Sequence, residues 1–394
     1  MRKVQLMGVA IVLTSLGVTG FATITSATST TSSLATTTST PTTTTTVIAN
    51  LACATKTVAT WSLVRQANET VSVSVNALDI GAMGPAATAG YGGILLFGTT
   101  APAKFSSIVA TLQGEALSKH SMLVMTDQEG GGVERLTNLV ATLPWAQTMG
   151  KNLSDAQITS EGRRVGASMK AAGINTDLAP VLDVDGRAQE PGAANPDGYR
   201  SFSGVPSKAA SDGVAFLNGL RSAHITSVVK HFPGLGHATG NTDYGPAATL
   251  PWATLKTTGL VPFQAAINDG VTAVMLSNAT IPGFTSLPSS ISPNVIQYLR
   301  QHMGFTGLIV TDVLSAGALS LIHLGVPAAS VKALEAGADL VLAGSPASPA
   351  ASLHLALLTS NAIQKAVTSG ALSQATLDAA AAQVLASENP SLIC

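Results

Sequence analysis

Short apolar segments, rich in β-branched residues, recur along the chain from about residue 70 and alternate with longer segments of helical periodicity. Continuous apolar runs of this kind are typical of strands that are buried on both faces. Helical patterns lie between them, for example at Asp155–Ala172, Ser207–Ala223 and Ser292–Met303. The apolar runs predict eight strands, at 71–75, 93–97, 122–126, 176–182, 226–230, 273–277, 308–311 and 339–343.

The regular alternation of strand and helix indicates an α/β protein with a parallel sheet. Eight repeats of this unit favour a closed (β/α)8 barrel, or TIM barrel, which we assign as a single catalytic domain to residues 53–394. An open, doubly wound sheet is the alternative. In a barrel of this type the functional side chains lie at the C-terminal ends of the strands.

The first part of the chain has a different character. Arg2 and Lys3 precede an apolar stretch at 6–21, and small residues follow it, which predicts a secretory signal peptide at 1–27. An uncleaved N-terminal anchor is the alternative. Residues 28–52 are dominated by Ser and Thr and carry no charge, so they predict a disordered linker. We therefore expect an extracytoplasmic protein, secreted or associated with the cell envelope.

The chain has two cysteines, Cys53 and Cys394, one at each end of the predicted barrel. In an exported protein they predict a disulfide that ties the two ends together, with a reactive thiol as the alternative. Only 10% of residues are charged and the net charge is −1. This balance offers no basic surface for phosphate, so we expect no nucleic-acid partner, and we expect a monomer.

The polar residues of this charge-poor chain gather at the ends of predicted strands. They are Asp127, Glu129, Asp183, Asp185, Lys230, His231 and Asp312. Several carboxylates around one pocket suit glycoside hydrolysis, in which one carboxylate attacks the anomeric carbon and a second group supplies a proton. Metal-assisted hydrolysis by a His/Asp cluster is the alternative chemistry. Because the chain has no H-E-x-x-H motif, we expect neither a metal nor another cofactor.

Five ordered motifs carry a family resemblance: Asp127-Gln-Glu-Gly-Gly131, Leu178-Ala-Pro-Val-Leu-Asp-Val184, Tyr199-Arg-Ser-Phe202, Lys230-His-Phe-Pro-Gly234 and Thr311-Asp312. Together they resemble the barrel domain of family-three glycoside hydrolases, in particular the single-domain β-N-acetylglucosaminidases of the NagZ type. The resemblance covers residues 65–390. It implies a saccharide substrate and a retaining mechanism.

The resemblance also implies roles for individual residues. Asp312 matches the nucleophile that forms the covalent glycosyl-enzyme. The residues that match those gripping the sugar hydroxyls are Asp127, Arg200, Lys230 and His231. We also count Arg135 among the substrate-binding residues, although we interpret Arg135 and Asp183 as supports more than as direct contacts. Glu129 suits either role. Alternatively, Lys230 and His231 form buried ion pairs that only hold strand ends together.

The resemblance breaks down in the loop after Lys230. Where the family has an Asp-x-His dyad whose histidine is the general acid/base, this chain has Asn241 and Asp243. Three hypotheses follow. Asp243 itself donates the proton, with a pKa raised by burial and by Asp312; His237 has taken the role; or the site binds sugar without turnover.

The leading hypothesis is an exported retaining β-glycosidase that acts on β-linked N-acetylglucosaminides of cell-wall polymer or peptidoglycan fragments. A β-glucosidase or β-xylosidase of the same family is the second enzyme hypothesis. The non-enzymatic alternative is a catalytically degenerate barrel that binds glycans.

Overall fold

The computed structural model describes residues 42–117, 121–344, 348–389, 392 and 394. Eight strands are present in these residues, and all neighbouring pairs run parallel. They are β1 (Val71–Asn76), β2 (Gly93–Phe97), β3 (Leu123–Thr126), β4 (Thr176–Asp177), β5 (Thr226–Phe232), β6 (Ala273–Leu276), β7 (Leu308–Thr311) and β8 (Val341–Leu342).

The strands follow one another in the order β7-β6-β5-β4-β3-β2-β1-β8. A parallel bridge between Val310 and Leu340 joins the two ends of this order. There the amide of Thr311 donates to the carbonyl of Leu340 at 3.0 Å. The sheet thus closes on itself, and the predicted (β/α)8 barrel is confirmed.

β3, β4, β6 and β8 are shorter than the predicted runs, β4 and β8 by the most residues. β4 ends at Asp177, although the apolar run continues to Leu182. Pro180 in this run has no amide proton to donate to a ladder. Beyond it the chain rejoins its neighbour, because the amide of Leu182 donates to the carbonyl of Lys230 at 2.6 Å.

Helices cover the outside of the barrel. The predicted helix Asp155–Ala172 is confirmed with the same bounds. The helices are α1 (Thr42–Val58), α2 (Leu63–Glu69), α3 (Gly84–Ala89), α4 (Phe105–Glu115), α5 (Ala146–Asn152), α6 (Asp155–Ala172), α7 (Pro206–Ser222), α8 (Trp252–Leu255), α9 (Leu260–Asn268), α10 (Pro293–Gln297), α11 (Gly317–Ser320), α12 (Val326–Ala336), α13 (Pro349–Ser369) and α14 (Gln374–Glu388). The predicted helix over 292–303 is α10 followed by a π-helical turn, Tyr298–His302.

The first described residues belong to a helix. Helix α1 begins at Thr42, so it includes residues 42–52 of the segment predicted as a disordered linker. Its second half packs on α14, where the side-chain amide of Asn50 donates to the carbonyl of Ala386 at 2.9 Å. This packing buries apolar surface that the Ser/Thr composition did not indicate. The predicted signal peptide and residues 28–41 lie outside the described residues.

The predicted disulfide between Cys53 and Cys394 is present, with the two Cα atoms 5.4 Å apart. It closes a loop with a sequence separation of 341 residues. Within the described residues, no helix has both the length and the apolar character needed to cross a membrane.

The barrel interior is filled by alternate side chains of the strands. They include Leu95, Leu123, Met125, Val228, Met275, Leu308, Val310 and Leu342. These apolar side chains form a packed layer inside the barrel. Leu95, Leu178, Met275 and Leu342 form the base of a cavity at the C-terminal ends of the strands.

Candidate active site

A cavity of about 420 Å³ opens above the barrel core. It receives side chains from the ends of β3, β5 and β7 and from the loops that follow them. The charged and titratable residues on its wall are Asp127, Glu129, Arg135, Arg200, Lys230, His231, Asp243 and Asp312. All of these except Glu129 were predicted as catalytic or substrate-binding residues, and Glu129 was left open between two roles.

Lys230 stands at the centre of the charged group. Its Nζ lies 2.5 Å from Oδ1 of Asp127 and 2.7 Å from Oε1 of Glu129. Burial disfavours the charged amine, but the two carboxylates raise the pKa of Lys230 above its usual value. Burial likewise opposes ionisation of Asp127, yet Lys230 and Arg135 bring the pKa of Asp127 below its usual value. Both groups are therefore charged at neutral pH.

Arg200 binds Glu129 with two parallel hydrogen bonds. Nε donates to Oε2 at 2.7 Å and Nη2 donates to Oε1 at 2.8 Å. Despite its burial, Glu129 has a pKa far below the usual value, because Arg200 and Lys230 both stabilise the carboxylate. Nη1 of Arg200 donates to the carbonyl of Pro196 at 2.8 Å. Glu129 thus holds Arg200 and Lys230 in place beside the cavity.

Arg135 has a looser arrangement than Arg200. Its Nη2 lies 3.8 Å from Oδ2 of Asp127, and its guanidinium carbon lies 5.7 Å from the ring centre of Phe97. The side chain is partly exposed. Arg135 therefore adds positive charge beside Asp127 and still faces the cavity.

His231 is oriented by Asp183. Its Nδ1 lies 2.7 Å from Oδ2 of Asp183, and the backbone amides of His231 and Leu235 donate to Oδ1 at 3.2 and 2.7 Å. Asp183 is fully buried, which opposes its ionisation, but the neighbouring His231 lowers the pKa of Asp183 below its usual value. With Nδ1 donating to Asp183, Nε2 is left on the side of Arg200, whose Nη2 is 3.3 Å away. Asp183 is a support, as predicted.

Asp197 belongs to this cluster, although no motif marks it in the sequence. Its side chain is fully buried, and burial and the neighbouring Asp183 raise its pKa well above the usual value. The raised pKa favours a protonated Asp197, which can donate to Asp183. Asp183, Asp197 and His231 each offer a ligand atom within 4.8 Å of the others. That spacing fits a cation, but Asp183 is already bound by His231 and two amides.

A second buried carboxyl group, Asp177, lies at the end of β4. Its Oδ1 accepts the backbone amide of Gln128 at 2.9 Å. Burial raises the pKa of Asp177 well above its usual value. It therefore fixes the turn that carries Asp127 and Glu129, and its raised pKa disfavours a negative charge at this position. The sequence analysis missed this residue because it lies inside an apolar run.

Asp312 follows β7 and faces the cavity. The amide of Val313 donates to its Oδ1 at 2.7 Å, and its own amide donates to the carbonyl of Leu276 at 2.9 Å. Burial raises the pKa of Asp312; the nearby His231 partly offsets this effect, and the carboxylate of Asp243 adds to it. The carboxyl group is thus not locked to a cation by a direct ion pair among the described residues.

The loop 235–245 brings Asp243, and not His237, to the cavity. Asp243 lines it together with Asn241, Thr242 and Tyr244, whereas His237 does not belong to the cavity wall as described. His237 is exposed and lies near Asp185. Burial opposes ionisation of Asp185, but hydrogen bonds from Arg187 lower the pKa of Asp185, and His237 makes a small further contribution. The expected burial of Asp243 is wrong, because its side chain is exposed at the mouth.

A barrel with such a charged cavity at the C-terminal ends of its strands is typical of glycoside hydrolases. The chain belongs to glycosyl hydrolase family 3, since residues 86–387 match the family model described as "Glycosyl hydrolase family 3 N terminal domain".

Individual relatives agree with this assignment. The chain is 33% identical over 228 residues to "Beta-hexosaminidase LpqI" of Mycobacterium tuberculosis, in an alignment that spans 56% of this chain and 58% of that protein. It is 34% identical to an "Uncharacterized secreted glycosyl hydrolase" of Arthroderma benhamiae, over 64% of this chain and 73% of that protein. The crystal structure of a β-N-acetylhexosaminidase from Beutenbergia cavernae is similar, with a TM-score of 0.74 and 29% identity over 84% of this chain and 99% of that one.

Proposed function

We propose that this protein is a retaining β-glycosidase that hydrolyses β-linked N-acetylglucosaminides, with Asp312 as its nucleophile. The observation that carries the proposal is the position of the Asp312 carboxyl group. It lies at the end of β7, in the same cavity as Lys230, Arg200 and His231. The names of two of the relatives, a β-hexosaminidase and a β-N-acetylhexosaminidase, support the substrate class.

In the first step of the proposed mechanism, a carboxylate oxygen of Asp312 attacks the anomeric carbon. The glycosidic C–O bond breaks, and the leaving oxygen takes a proton from Asp243. The sugar is then held on Asp312 as a covalent ester. In the second step, ionised Asp243 removes a proton from water, the water oxygen displaces Asp312 from the anomeric carbon, and both carboxyl groups return to their initial states.

The position of Asp243 supports its role as the acid/base. It is the carboxyl group of the 235–245 loop that lines the cavity, and its charge raises the pKa of Asp312. The two carboxyl groups therefore face the same cavity, as the mechanism requires of a nucleophile and a proton donor. His237 lacks the same access, because it lies outside the cavity wall as described.

The charged cluster of Asp127, Arg200, Lys230 and His231 forms the proposed subsite for the sugar that is cleaved. Charge-assisted hydrogen bonds to hydroxyl groups are strong and directional. Because Glu129 and Asp183 already hold Arg200 and His231, these donors are organised before the sugar binds. Substrate binding therefore does not include the entropic cost of ordering these side chains.

We further propose an exported monomer, secreted or associated with the cell envelope, that acts on cell-wall polymer or peptidoglycan fragments. The N-terminal sequence and the secreted relative from Arthroderma benhamiae support export. A β-glucosidase or β-xylosidase activity remains the alternative within the family, to be distinguished by comparing glycosides with and without the N-acetyl group.

The test is trapping of the covalent intermediate with a 5-fluoro β-N-acetylglucosaminide, followed by peptide mass spectrometry. We expect one adduct on the peptide that contains Asp312. The Asp312→Asn variant should give none, and the surface variant Asp269→Asn should behave like the unmodified protein. Saccharide binding with neither adduct nor turnover would instead support a glycan-binding barrel.

A further inference from the structure

Exposed apolar side chains form a group on one side of the cavity mouth. Tyr244 is 66% exposed and Leu321 is 62% exposed. We call these two residues the apolar rim. Tyr244 lines the cavity and directly follows Asp243 in the chain. The rim therefore begins beside the proposed proton donor.

Local contacts build the rim from two loops. The amide of Gly317 donates to the carbonyl of Asp243 at 3.0 Å, which joins the loop after β5 to the start of α11. A Cβ atom on Gly317 would lie 2.5 Å from the carbonyl carbon of Tyr244, so only glycine permits this approach. One turn later, Leu321 Cδ1 lies 3.6 Å from where a Cβ on Gly245 would be. Leu321 is thus next to the Tyr244–Gly245 backbone.

The rim and the charged cluster differ in chemistry. Each basic side chain among the described cavity-lining residues, Arg135, Arg200 and Lys230, lies beside a carboxylate partner. The charged group nearest to Tyr244 along the chain is Asp243, which is itself acidic. An anionic group at the rim would meet this carboxylate and no free cation among these residues, whereas an apolar face would bury exposed side chains.

We propose that the apolar rim is the subsite for the leaving group, and that it takes an uncharged group with a flat apolar face, a pyranose ring or an aryl ring. The inference rests on the proposed function and extends it to the other side of the scissile bond. Ring stacking on Tyr244 requires the aromatic face and not the hydroxyl group. Leu321 extends the contact for longer leaving groups.

The test uses phenyl and methyl β-N-acetylglucosaminide with the whole protein and compares the ratio of their kcat/KM values. Differences in leaving-group reactivity cancel when this ratio is compared between variants. We expect Tyr244→Ala to lower the phenyl/methyl ratio about tenfold, the order of one aromatic contact. Tyr244→Phe should retain it. Leu358→Ala, an exposed leucine on α13 outside the cavity wall as described, is the control.

A second substrate pair tests the charge of the leaving group. The unmodified protein should hydrolyse 4-carbamoylphenyl β-N-acetylglucosaminide faster than the similarly shaped 4-carboxyphenyl glycoside. Equal loss on phenyl and methyl glycosides in Tyr244→Ala, or a preference for the carboxyphenyl substrate, would overturn the inference.

If no glycoside is hydrolysed by the unmodified protein, the proposed function fails, and calorimetric binding then tests the rim separately. The inference about the rim would still be supported if the unmodified protein binds the phenyl glycoside more tightly than the methyl glycoside and Tyr244→Ala abolishes this difference. Equal affinities for the two glycosides in the unmodified protein would overturn it.

Discussion

Nδ1 of His231 lies 2.7 Å from Oδ2 of Asp183, and this contact sets which ring nitrogen is left for the cavity. The carboxylate of Asp183 also accepts two backbone amides, so it is held from three sides. The imidazole orientation is therefore fixed by a buried group that never meets the substrate.

The first prediction concerns this contact. Asp183→Asn should lower kcat/KM on N-acetylglucosaminides by about 10- to 100-fold, because the amide no longer enforces Nδ1 protonation of His231. The loss should be accompanied by a changed pH profile, measured over pH 4 to 9. Asp269→Asn, which changes a partly exposed carboxylate paired with Arg221 and outside the cavity wall as described, is the control. An unchanged pH profile in Asp183→Asn would contradict the orienting role of Asp183.

Asp197 gives a second prediction. Burial and Asp183 raise the pKa of Asp197 well above its usual value, which favours a neutral carboxyl group that donates to Asp183. Asp197→Asn retains a neutral donor and should change the free energy of unfolding by less than about 1 kcal/mol, whereas Asp197→Ala should lower it by about 1–3 kcal/mol. Denaturant titration at pH 7 measures both. Equal destabilisation by the two substitutions would show that the hydrogen-bond donor at position 197 does not contribute to stability.

The acid/base assignment leads to a third prediction. Asp243→Ala should lose at least about 100-fold in kcat/KM on methyl β-N-acetylglucosaminide and much less on a nitrophenyl glycoside, whose leaving group needs little protonation. Azide should restore turnover as a glycosyl azide, since a small anion can attack the covalent intermediate without a base. His237→Ala should match the unmodified protein. If His237→Ala shows the selective loss instead, the assignment is reversed.

A fourth prediction concerns stability. Glu69, beside β1, and Glu388, near the end of α14, are buried carboxyl groups that interact, and Arg65 lies 2.8 Å from Glu69. Burial raises the pKa of Glu69 from 4.5 to about 7, and burial and Glu69 raise that of Glu388. Groups whose pKa is raised on folding stabilise the folded protein below their unfolded pKa, and this stabilisation is lost as pH rises through the folded value.

The free energy of unfolding should therefore fall between about pH 4.5 and pH 7, by an amount on the order of 3 kcal/mol from Glu69. Urea titrations at several pH values measure the slope. Glu388→Gln should flatten it, whereas Glu335→Gln, a substitution on the outer helix α12, should leave it unchanged. A stability that rises over this range would contradict the carboxyl-pair interpretation.

The disulfide supplies the fifth prediction. Because the bridge closes a loop with a sequence separation of 341 residues, its loss should destabilise the protein by up to about 5 kcal/mol through the entropy of the unfolded chain. Cys53→Ser and Cys394→Ser should each lower Tm by the same amount as reduction with dithiothreitol. The reducing agent should have no effect on either variant, which serves as the control.

The sequence by itself determined the barrel. Each run of β-branched and aliphatic residues is local, and eight such runs alternating with amphipathic segments leave few other arrangements that bury them. The strand-end motifs could also be recognised from the sequence. Burying a charge such as Asp312 or Lys230 at the end of an apolar run is unfavourable unless the charge is paired, so such residues indicate a site. The two cysteines and the compartment implied by the N-terminus predicted the bridge between Cys53 and Cys394.

Only the tertiary structure decided which distant polar groups share a pocket. Glu69 meets Glu388 through packing of segments far apart in sequence. Asp197 meets Asp183 through the folding of the segment after β4. No local pattern encodes either contact. Asp243 and His237 are close in the chain, yet only Asp243 lies on the cavity wall as described. The backbone contact between Asp243 and Gly317 holds this part of the loop beside the cavity. Side-chain direction in a loop depends on the partners that fold against it, and those partners are known only once the barrel has closed.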